Sequence, residues 1–351
     1  MPTLSADNAR RGITEIFRAA GSNTQEADYL ADHLVKATLK GAESHGIIRT
    51  LRYVGYILEG KVRVNQNVSV THDGGSILLL DGNLGIGQSV GEQAMRMLAE
   101  RAKKHGIALC GLSNSGHLGR LGHWAERLAE QNLASIHFLN TTGIGMLVAP
   151  FGGSDRRVSP NPIAIAIPHR QGEPVIMDVT SAASAEGKIL VAKNAGKQIP
   201  EGHIIDNRGQ PTTDPNALYE GGSILPIAGH KGSALNIMID MMAGIISGGG
   251  CTAPDEDKVI NTMTSIAISM DALGDTEKRS HEIQRFADWV TASPPADPDH
   301  PVRMPGENGR ATTAERLKNG IPFDDTTYES LFEAADAVGI QRDSLKEILH
   351  A

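Results

Sequence analysis

Three short β-rich runs, at 77–80, 107–112 and 134–139, alternate with helical patterns at about 88–104 and 119–132. Alternation of this kind constrains a chain to a sheet with helices on its faces and rules out a pure bundle or a pure sandwich. The surrounding pattern agrees. A β-rich run at 68–70 comes before, and a strand pair at 163–168 and 174–178 comes after, leading into a helix at about 183–196. Beyond a long polar loop at 200–222 lie a helix at about 231–247, a strand-like run at 259–270 and a helix at about 276–292. Two helical patterns, about 7–20 and 24–42, open the chain, the second behind Ser22-Asn23-Thr24-Gln25, which reads as a capping box. The proline-rich stretch 294–301 must be a loop, and helices are expected to begin near Thr312 and Ser344, both with capping-box spacing. The fold class is α/β, a mixed sheet with flanking helices.

Bulk properties exclude several classes of function. The chain has 351 residues, 40% of them hydrophobic and 21% charged, which describes an ordinary globular protein with ample core. A net charge of -8 without a basic block argues against nucleic acid as a partner. Two cysteines, Cys110 and Cys251, fit a reducing compartment. The first ten residues lack the apolar run of a signal peptide, and the most apolar stretch, 237–246, is broken by Asp240 and too short to span a bilayer. A cytoplasmic protein with no membrane partner is expected.

The chemistry concentrates in the stretch 42–53. Ile47, Leu51, Val54 and Leu58 recur at helical spacing and would make a core face. His45, Arg49 and Tyr53 then fall four apart on an adjacent face, with Ser44 beside them. A histidine can deliver a proton near neutral pH, and an arginine can clamp a carboxylate with two parallel hydrogen bonds. Together they suit reduction of a carbonyl next to a carboxylate. The plainer alternative is a solvated helix face with a capping serine.

Gly85-Ile86-Gly87-Gln88-Ser89-Val90-Gly91 follows a strand and opens a helix, the setting of a dinucleotide fingerprint. Its spacing is GxGxxxG, and no acidic residue ends the next strand, so it reads better as a tight turn before a packed helix. The loop from Ser113 to Gly122 also joins a strand to a helix, and there a helix N-terminus can hold an anion; Asp178-Val179-Thr180-Ser181 invites the same reading. A histidine such as His117 in a loop of this type is more often structural than catalytic. No HExxH, no CxxC pair and no dense Asp cluster occurs, so no metal is expected, and the absence of Gly-x-Ser-x-Gly counts against a serine hydrolase.

Taken in order, these motifs resemble those of the type II malate/L-lactate dehydrogenases over nearly the whole chain. The matching segments are Ser44-His45-Gly46, Asn114-Ser115-Gly116-His117-Leu118-Gly119, Asn161-Pro162, Asp178-Val179-Thr180-Ser181, Gly187-Lys188, Pro211-Thr212-Thr213-Asp214-Pro215, His230-Lys231-Gly232 and Pro305-Gly306-Glu307. The resemblance implies a non-Rossmann NAD(P)-binding fold in a homodimer, and an enzyme that interconverts a 2-oxoacid and a 2-hydroxyacid with NAD or NADP. It implies His45 as proton donor with Ser44 orienting it, Arg49 on the substrate carboxylate, and His117 as catalytic or beside the cofactor. Tyr53, Ser159 and Lys188 would line the substrate. His117, Leu118, Gly119, Arg120, Leu121, Asp178, Val179, Thr180, His230, Lys231, Asn261, Gly306, Glu307 and Asn308 would line the cofactor. Residues 1–75 with 300–351 would form a mainly helical substrate and dimerisation part, and 76–299 the NAD(P)-binding part.

Two departures from the family's pattern bear on substrate. Ser159-Pro160-Asn161-Pro162 lacks the hydroxyl that many members carry at position 160, with Ser159 beside it as a substitute. Position 188 is Lys, where the cyclic-imine reductases of the family have an aspartate, which favours C=O over C=N chemistry. Reductases of cyclic imino acids, dehydrogenases of ureidoglycolate, sulfolactate or sugar acids, and a non-catalytic metabolite sensor are the competing readings. Arg120 either meets a 2′-phosphate or points to solvent.

Overall fold

The computed structural model describes residues 2–143, 145–254 and 259–351. It opens with a two-residue strand β1 (Thr3–Leu4) and helices α1 (Ala6–Ala19) and α2 (Thr24–Leu39). Two 3-10 turns, Glu43–His45 and Ile47–Arg49, then lead into α3 (Thr50–Leu58). Next come β2 (Ser69–Asp73), β3 (Ile77–Asp81), α4 (Gly87–His105), β4 (Ile107–Ser115), α5 (Leu121–Ala129), β5 (Leu133–Gly143), β6 (Pro162–Ile167) and β7 (Val175–Thr180). A small excursion follows: α6 (Glu186–Asn194), β8 (Ile204–Ile205), β9 (Pro211–Thr212), α7 (Asn216–Tyr219) and β10 (Ser223–Ile224). The chain closes with α8 (His230–Ser247), β11 (Val259–Ser269), α9 (Thr276–Thr291), α10 (Glu307–Asn319), β12 (Ile321–Pro322), α11 (Asp325–Ala337) and α12 (Arg342–His350).

Seven strands form one sheet in the order β2-β3-β4-β11-β5-β6-β7. Only the β3–β4 pair, joined through α4, is parallel; every other pair is antiparallel. The sheet therefore has a single parallel crossover and no doubly wound half on which a Rossmann site depends. Alternation along β11 puts a helical layer on each face. Met263 and Ala267 join the core against α4 and α5, while the Thr264 hydroxyl reaches the Ala243 carbonyl on α8.

Three apolar clusters fill the molecule. One unites α1, α2 and α3 with α11 and α12, one lies between the sheet and α4 and α5, and a small one holds the excursion around Val148, Ile189 and Ile224. The glycine run before α4 packs as tightly as the sequence suggests. A Cβ at Gly87 would sit 2.2 Å from the His117 carbonyl oxygen, and one at Gly91 would sit 2.6 Å from Trp124. No helix among the described residues is long and apolar enough to cross a membrane.

Several boundaries differ from those expected. The stretch 43–49 is not helix: Ser44, His45 and Arg49 lie on 3-10 turns, and Arg49 caps α3. Ile47 and Val54 are interior as expected, but Leu58 is 58% exposed and Tyr53, placed on the polar face by its spacing, is 5% exposed. A helical wheel drawn through a break rotates everything beyond it. Thr312 and Thr313 lie inside α10, their hydroxyls bonded back to the Asn308 and Gly309 carbonyls, so they do not start a helix. Ser344 likewise falls inside α12, whose cap is Gln341. The loop at 200–222 holds two short strands, β8 and β9, and α7, with β10 directly after it.

Candidate active site

The turn Glu43–His45 is held against α2 by Thr38, whose side-chain oxygen accepts the Ile47 amide at 2.9 Å. A Cβ on Gly46 would lie 2.1 Å from that oxygen, so glycine is the residue that lets the turn close. Ser44 Oγ then lies 2.9 Å from His45 Nδ1. Arg49 folds back over the same turn and donates from Nε to the Ser44 carbonyl at 2.5 Å. Its two terminal nitrogens have no partner among the described residues, which leaves the end of the fork free for a carboxylate.

His117 arrives from the other side, on the loop between β4 and α5. Its ring stacks on His45 with centroids 5.7 Å apart. Nδ1 of His117 receives the Tyr53 hydroxyl at 2.6 Å and the Gly119 amide at 3.2 Å. An amide can only donate, so Nδ1 is the acceptor and the neutral ring carries its proton on Nε2. Burial, followed by the charge of Arg49, holds His117 well below the ordinary value, and burial with Arg49 and Arg120 lowers His45 to about 4. Burial pushes Tyr53 up to about 12. The site at rest therefore offers two neutral imidazoles and one free guanidinium.

Of the residues expected at substrate, the structure gathers Ser44, His45, Arg49, Tyr53 and His117. The Gly187-Lys188 segment abuts them, with a Cβ at Gly187 falling 3.4 Å from Ser44 Cβ. Ser159 is not in this group. It is 1% exposed, and its hydroxyl proton goes to the Thr141 carbonyl at 2.6 Å, so it does not replace the hydroxyl missing at 160. The Asn161 amide beside it donates to Asn236 and to Asp240, a carboxylate buried inside α8.

The residues expected at cofactor divide into two kinds. Leu118, Leu121 and Asn261 are interior: both leucines pack in the sheet core, and Asn261 Oδ1 accepts the Leu118 amide at 2.8 Å while its Nδ2 donates to Asn140 and Thr141. Arg120 is also buried, 8% exposed, and bonds Glu126 at 2.5 Å and Asp178 at 3.4 Å. It thus neither points to solvent nor is free for a 2′-phosphate. Asp178 Oδ2 accepts the Gly122 amide at 2.9 Å, so the first turn of α5 already has an anion, and the anion is the protein's own. Asp178 and Thr180 lie in β7, with α6 starting only at Glu186, so no strand-to-helix junction exists at that position. The second kind is accessible. Val179 is exposed on β7, and His230 and Lys231 are exposed at the amino end of α8. Gly306, with φ of +96°, caps α10 ahead of Glu307 and Asn308. Lys231 beside His230 at one helix start, and at the other the amides next to Glu307, whose own amide donates to the Met304 carbonyl at 3.2 Å, are donors that suit a pyrophosphate.

Sequence reasoning missed His33. It lies on α2, 1% exposed, and its Nε2 accepts the Arg120 amide at 2.9 Å. No motif marks it, since a single histidine within a buried helical face gives no signal. Among the described residues no group of three or more His, Cys, Asp or Glu could hold a metal ion.

This fold has known counterparts. The family profile described as malate/L-lactate dehydrogenase matches residues 4–332. The chain belongs to the malate/L-lactate dehydrogenase family. Hydroxycarboxylate dehydrogenase B of Escherichia coli K12 is 38% identical over 341 residues, covering 95% of this chain and 94% of that one. A solved E. coli structure assigned provisionally as a malate/lactate dehydrogenase superposes with a TM-score of 0.95 at 36% identity, covering all of both chains. Sulfolactate dehydrogenase from Methanocaldococcus jannaschii superposes with a TM-score of 0.88 at 30% identity, covering 98% of this chain and 99% of that one. The family member described here is accordingly an oxidoreductase of the 2-hydroxyacid dehydrogenase class, and such dehydrogenases work with a nicotinamide cofactor.

Proposed function

We propose that this dehydrogenase interconverts an open-chain 2-oxoacid and its 2-hydroxyacid, with His45 exchanging the proton at the substrate oxygen and Arg49 holding the carboxylate. The observation that carries this reading is Ser44, which ties the two consecutive turns together: Arg49 Nε bonds the carbonyl of Ser44, and the Ser44 hydroxyl contacts His45 Nδ1. A carboxylate on the free end of Arg49 has its neighbouring carbon held at a set distance from the imidazole, which is the positioning a 2-oxoacid requires. In the oxidative direction His45 Nδ1–H donates to Ser44 Oγ, leaving Nε2 unprotonated to take the hydroxyl proton. In the reductive direction the imidazolium returns it. His117, with its proton fixed on Nε2, presents a donor to the same space, and Tyr53 and Lys188 complete the substrate surroundings.

A bound NAD or NADP supplies or accepts the hydride. Its pyrophosphate would lie against His230, Lys231 and the amino end of α10 at Gly306, Glu307 and Asn308, with Val179 and Thr180 flanking it. The helical part formed by 1–75 and 300–351 would supply Ser44, His45, Arg49 and Tyr53 together with the amino end of α10, and 76–299 would supply His117, Lys188 and the other cofactor groups. Ile237, Met238, Met241 and Ile245 are exposed along α8, an apolar stripe that supports a homodimer. The cytoplasm is the compartment that the two free cysteines suit.

The test is loss of reduced-nicotinamide absorbance with NADH and NADPH separately, against pyruvate, oxaloacetate, 2-oxoglutarate, phenylpyruvate, sulfopyruvate, diketogulonate and piperideine-2-carboxylate. Turnover of an open-chain oxoacid is expected. Turnover of the cyclic imine alone overturns the reading of Lys188, and silence across the panel revives a sensor.

A further inference from the structure

Helix α2 touches both halves of the site, although it contributes no group to it. Near its end, Thr38 Oγ1 accepts the Ile47 amide and so holds the turn that carries His45. Five residues earlier, His33 Nε2 accepts the Arg120 amide in the loop that carries His117. Five residues of α-helix span about 7.5 Å at 1.5 Å per residue. One rigid element therefore anchors both histidine-bearing segments, whose rings stack 5.7 Å apart.

We propose that His33 is a positioning residue for this reaction: its unprotonated Nε2 fixes the loop 117–122 and thereby the place of His117 opposite His45. The proposal rests on the functional reading above. The loop comes so close that a Cβ at Gly119 would lie 2.2 Å from His33 Nε2, and Gly119 takes φ of +72° to pass. Four of the loop's amides have acceptors from elsewhere in the protein or from the loop's own histidine. Leu118 uses Asn261, Gly119 uses His117, Arg120 uses His33 and Gly122 uses Asp178. Of these acceptors His33 alone comes from α2, so it alone ties the loop to the segment that leads into His45.

The acceptor role requires a neutral ring, since an imidazolium would set N–H against N–H. Burial first, and then the groups facing His33, keep it neutral. The His123 ring on α5 lies 4.3 Å away, Trp124 lies 5.3 Å away, and Arg120, His45 and Lys36 add positive charge or its potential. Among the described residues, the carboxylate that contacts this pair is Glu92, at 3.4 Å from His123 Nε2.

The experiment compares His33→Leu, which keeps bulk and loses the acceptor, with His33→Gln, which restores an acceptor oxygen. Two readouts are taken on the full-length protein. In hydrogen exchange followed by mass spectrometry, the peptide spanning 117–122 should lose protection in His33→Leu and keep it in His33→Gln. In steady-state kinetics with the oxoacid that the panel selects, His33→Leu should lower kcat by about 10–100-fold, the cost of a misplaced group, with KM within about twofold. His33→Gln should recover most of that loss. Unchanged exchange in His33→Leu, or a His33→Gln variant that falls as far as His33→Leu, overturns the proposal. Should His33→Leu not fold, His33→Gln decides: protection and kcat near those of the parent support the role, and loss of both in a folded protein refutes it. Exchange is read without substrate, so failure of the functional reading leaves this test intact.

Discussion

Tyr53 Oη lies 2.6 Å from His117 Nδ1, a nitrogen that also receives the Gly119 amide. This contact joins α3 to the β4–α5 loop and reinforces the tautomer that the Gly119 amide sets on His117. Burial pushes the phenol up to about 12, so it remains a donor throughout the working range. Tyr53→Phe removes one of the two donors and leaves the amide, so the tautomer is weakened without being reversed. One net hydrogen bond of about 0.5–1.5 kcal/mol corresponds to roughly a 2–10-fold fall in kcat. A loss beyond a hundredfold in a folded protein would place Tyr53 itself in the chemistry.

His45→Ala should abolish turnover, while cofactor binding, read by quenching of protein fluorescence, should survive. Near wild-type activity in that variant would remove the proton role. Arg49→Lys should act differently, raising KM for the oxoacid more than it lowers kcat because the point charge cannot make the paired contact. An unchanged KM would argue against the clamp.

The pH profile has a direction that follows from the surroundings of His45. Burial, then Arg49 and Arg120, lower it to about 4 in the free protein. Oxidation needs the unprotonated ring, so its kcat/KM should rise through about pH 4 and stay level above it. Reduction needs the imidazolium, so its kcat/KM should fall about tenfold per pH unit above that point. A bound carboxylate neutralises Arg49 and removes one of the charges that oppose protonation. The falling limb of kcat for reduction should therefore lie at higher pH than that of kcat/KM. Coincident limbs would show that the carboxylate does not sit on Arg49.

How much of this was legible in the sequence depended on whether a residue acts through its neighbours in the chain or across the fold. The seven strands of the main sheet and the helices α1, α2, α4, α8 and α9 follow the spacing of apolar residues, while the cap of α2 is Asn23, one residue past the Ser22 that opens the capping box read there. Ser44, His45 and Arg49 are legible because all three lie within six residues of chain. Their geometry is not, because the 3-10 turns interrupt the helical period and rotate Tyr53 inward towards His117, 64 residues away in sequence. His33, Asp178 and Asn261 hold the loop 117–122 from α2, β7 and β11, and no local pattern encodes such a meeting. Arg120 illustrates the limit. Its type suits a phosphate, yet the fold brings Glu126 and Asp178 to it first.

Acid should destabilise the protein ahead of any general carboxylate titration. His33, His123 and His137 are buried, and desolvation is the first cause of the lowering in each, with His137 brought down to about 3. The open chain takes up these protons below the ordinary value of 6.5, whereas the fold does not. Stability is therefore complete above that value and is lost as pH falls towards the folded values, by up to about 1.4 kcal/mol per pH unit for each group. His137 sits between the Ser265 and Ser135 hydroxyls, at 2.8 and 3.0 Å, away from the site. His137→Gln should flatten the loss of melting temperature between pH 6 and 4 relative to the parent, by about a fifth when His45 and His117 are lowered alongside these three. An unchanged slope would show that His137 takes no part in it.

Arg120 provides a prediction about both stability and cofactor choice. Burial raises Asp178, and Arg120 is the largest influence holding it down, followed by the Gly122 amide. Removing the guanidinium in Arg120→Met leaves that partly buried carboxylate with one amide donor, while Glu126 keeps Lys40 at 3.3 Å. Breaking a buried pair from one side costs about 3–5 kcal/mol, and the cost should shrink at low pH as Asp178 takes up a proton. Arg120→Met combined with Asp178→Leu should be less destabilised than Arg120→Met alone, since the unpaired charge is gone. The ratio of activity with NADPH to activity with NADH should not move in either variant that folds, because the guanidinium is spent on Glu126 and Asp178. A loss confined to NADPH would mean that Arg120 leaves its carboxylates for the cofactor, against the pairing seen here.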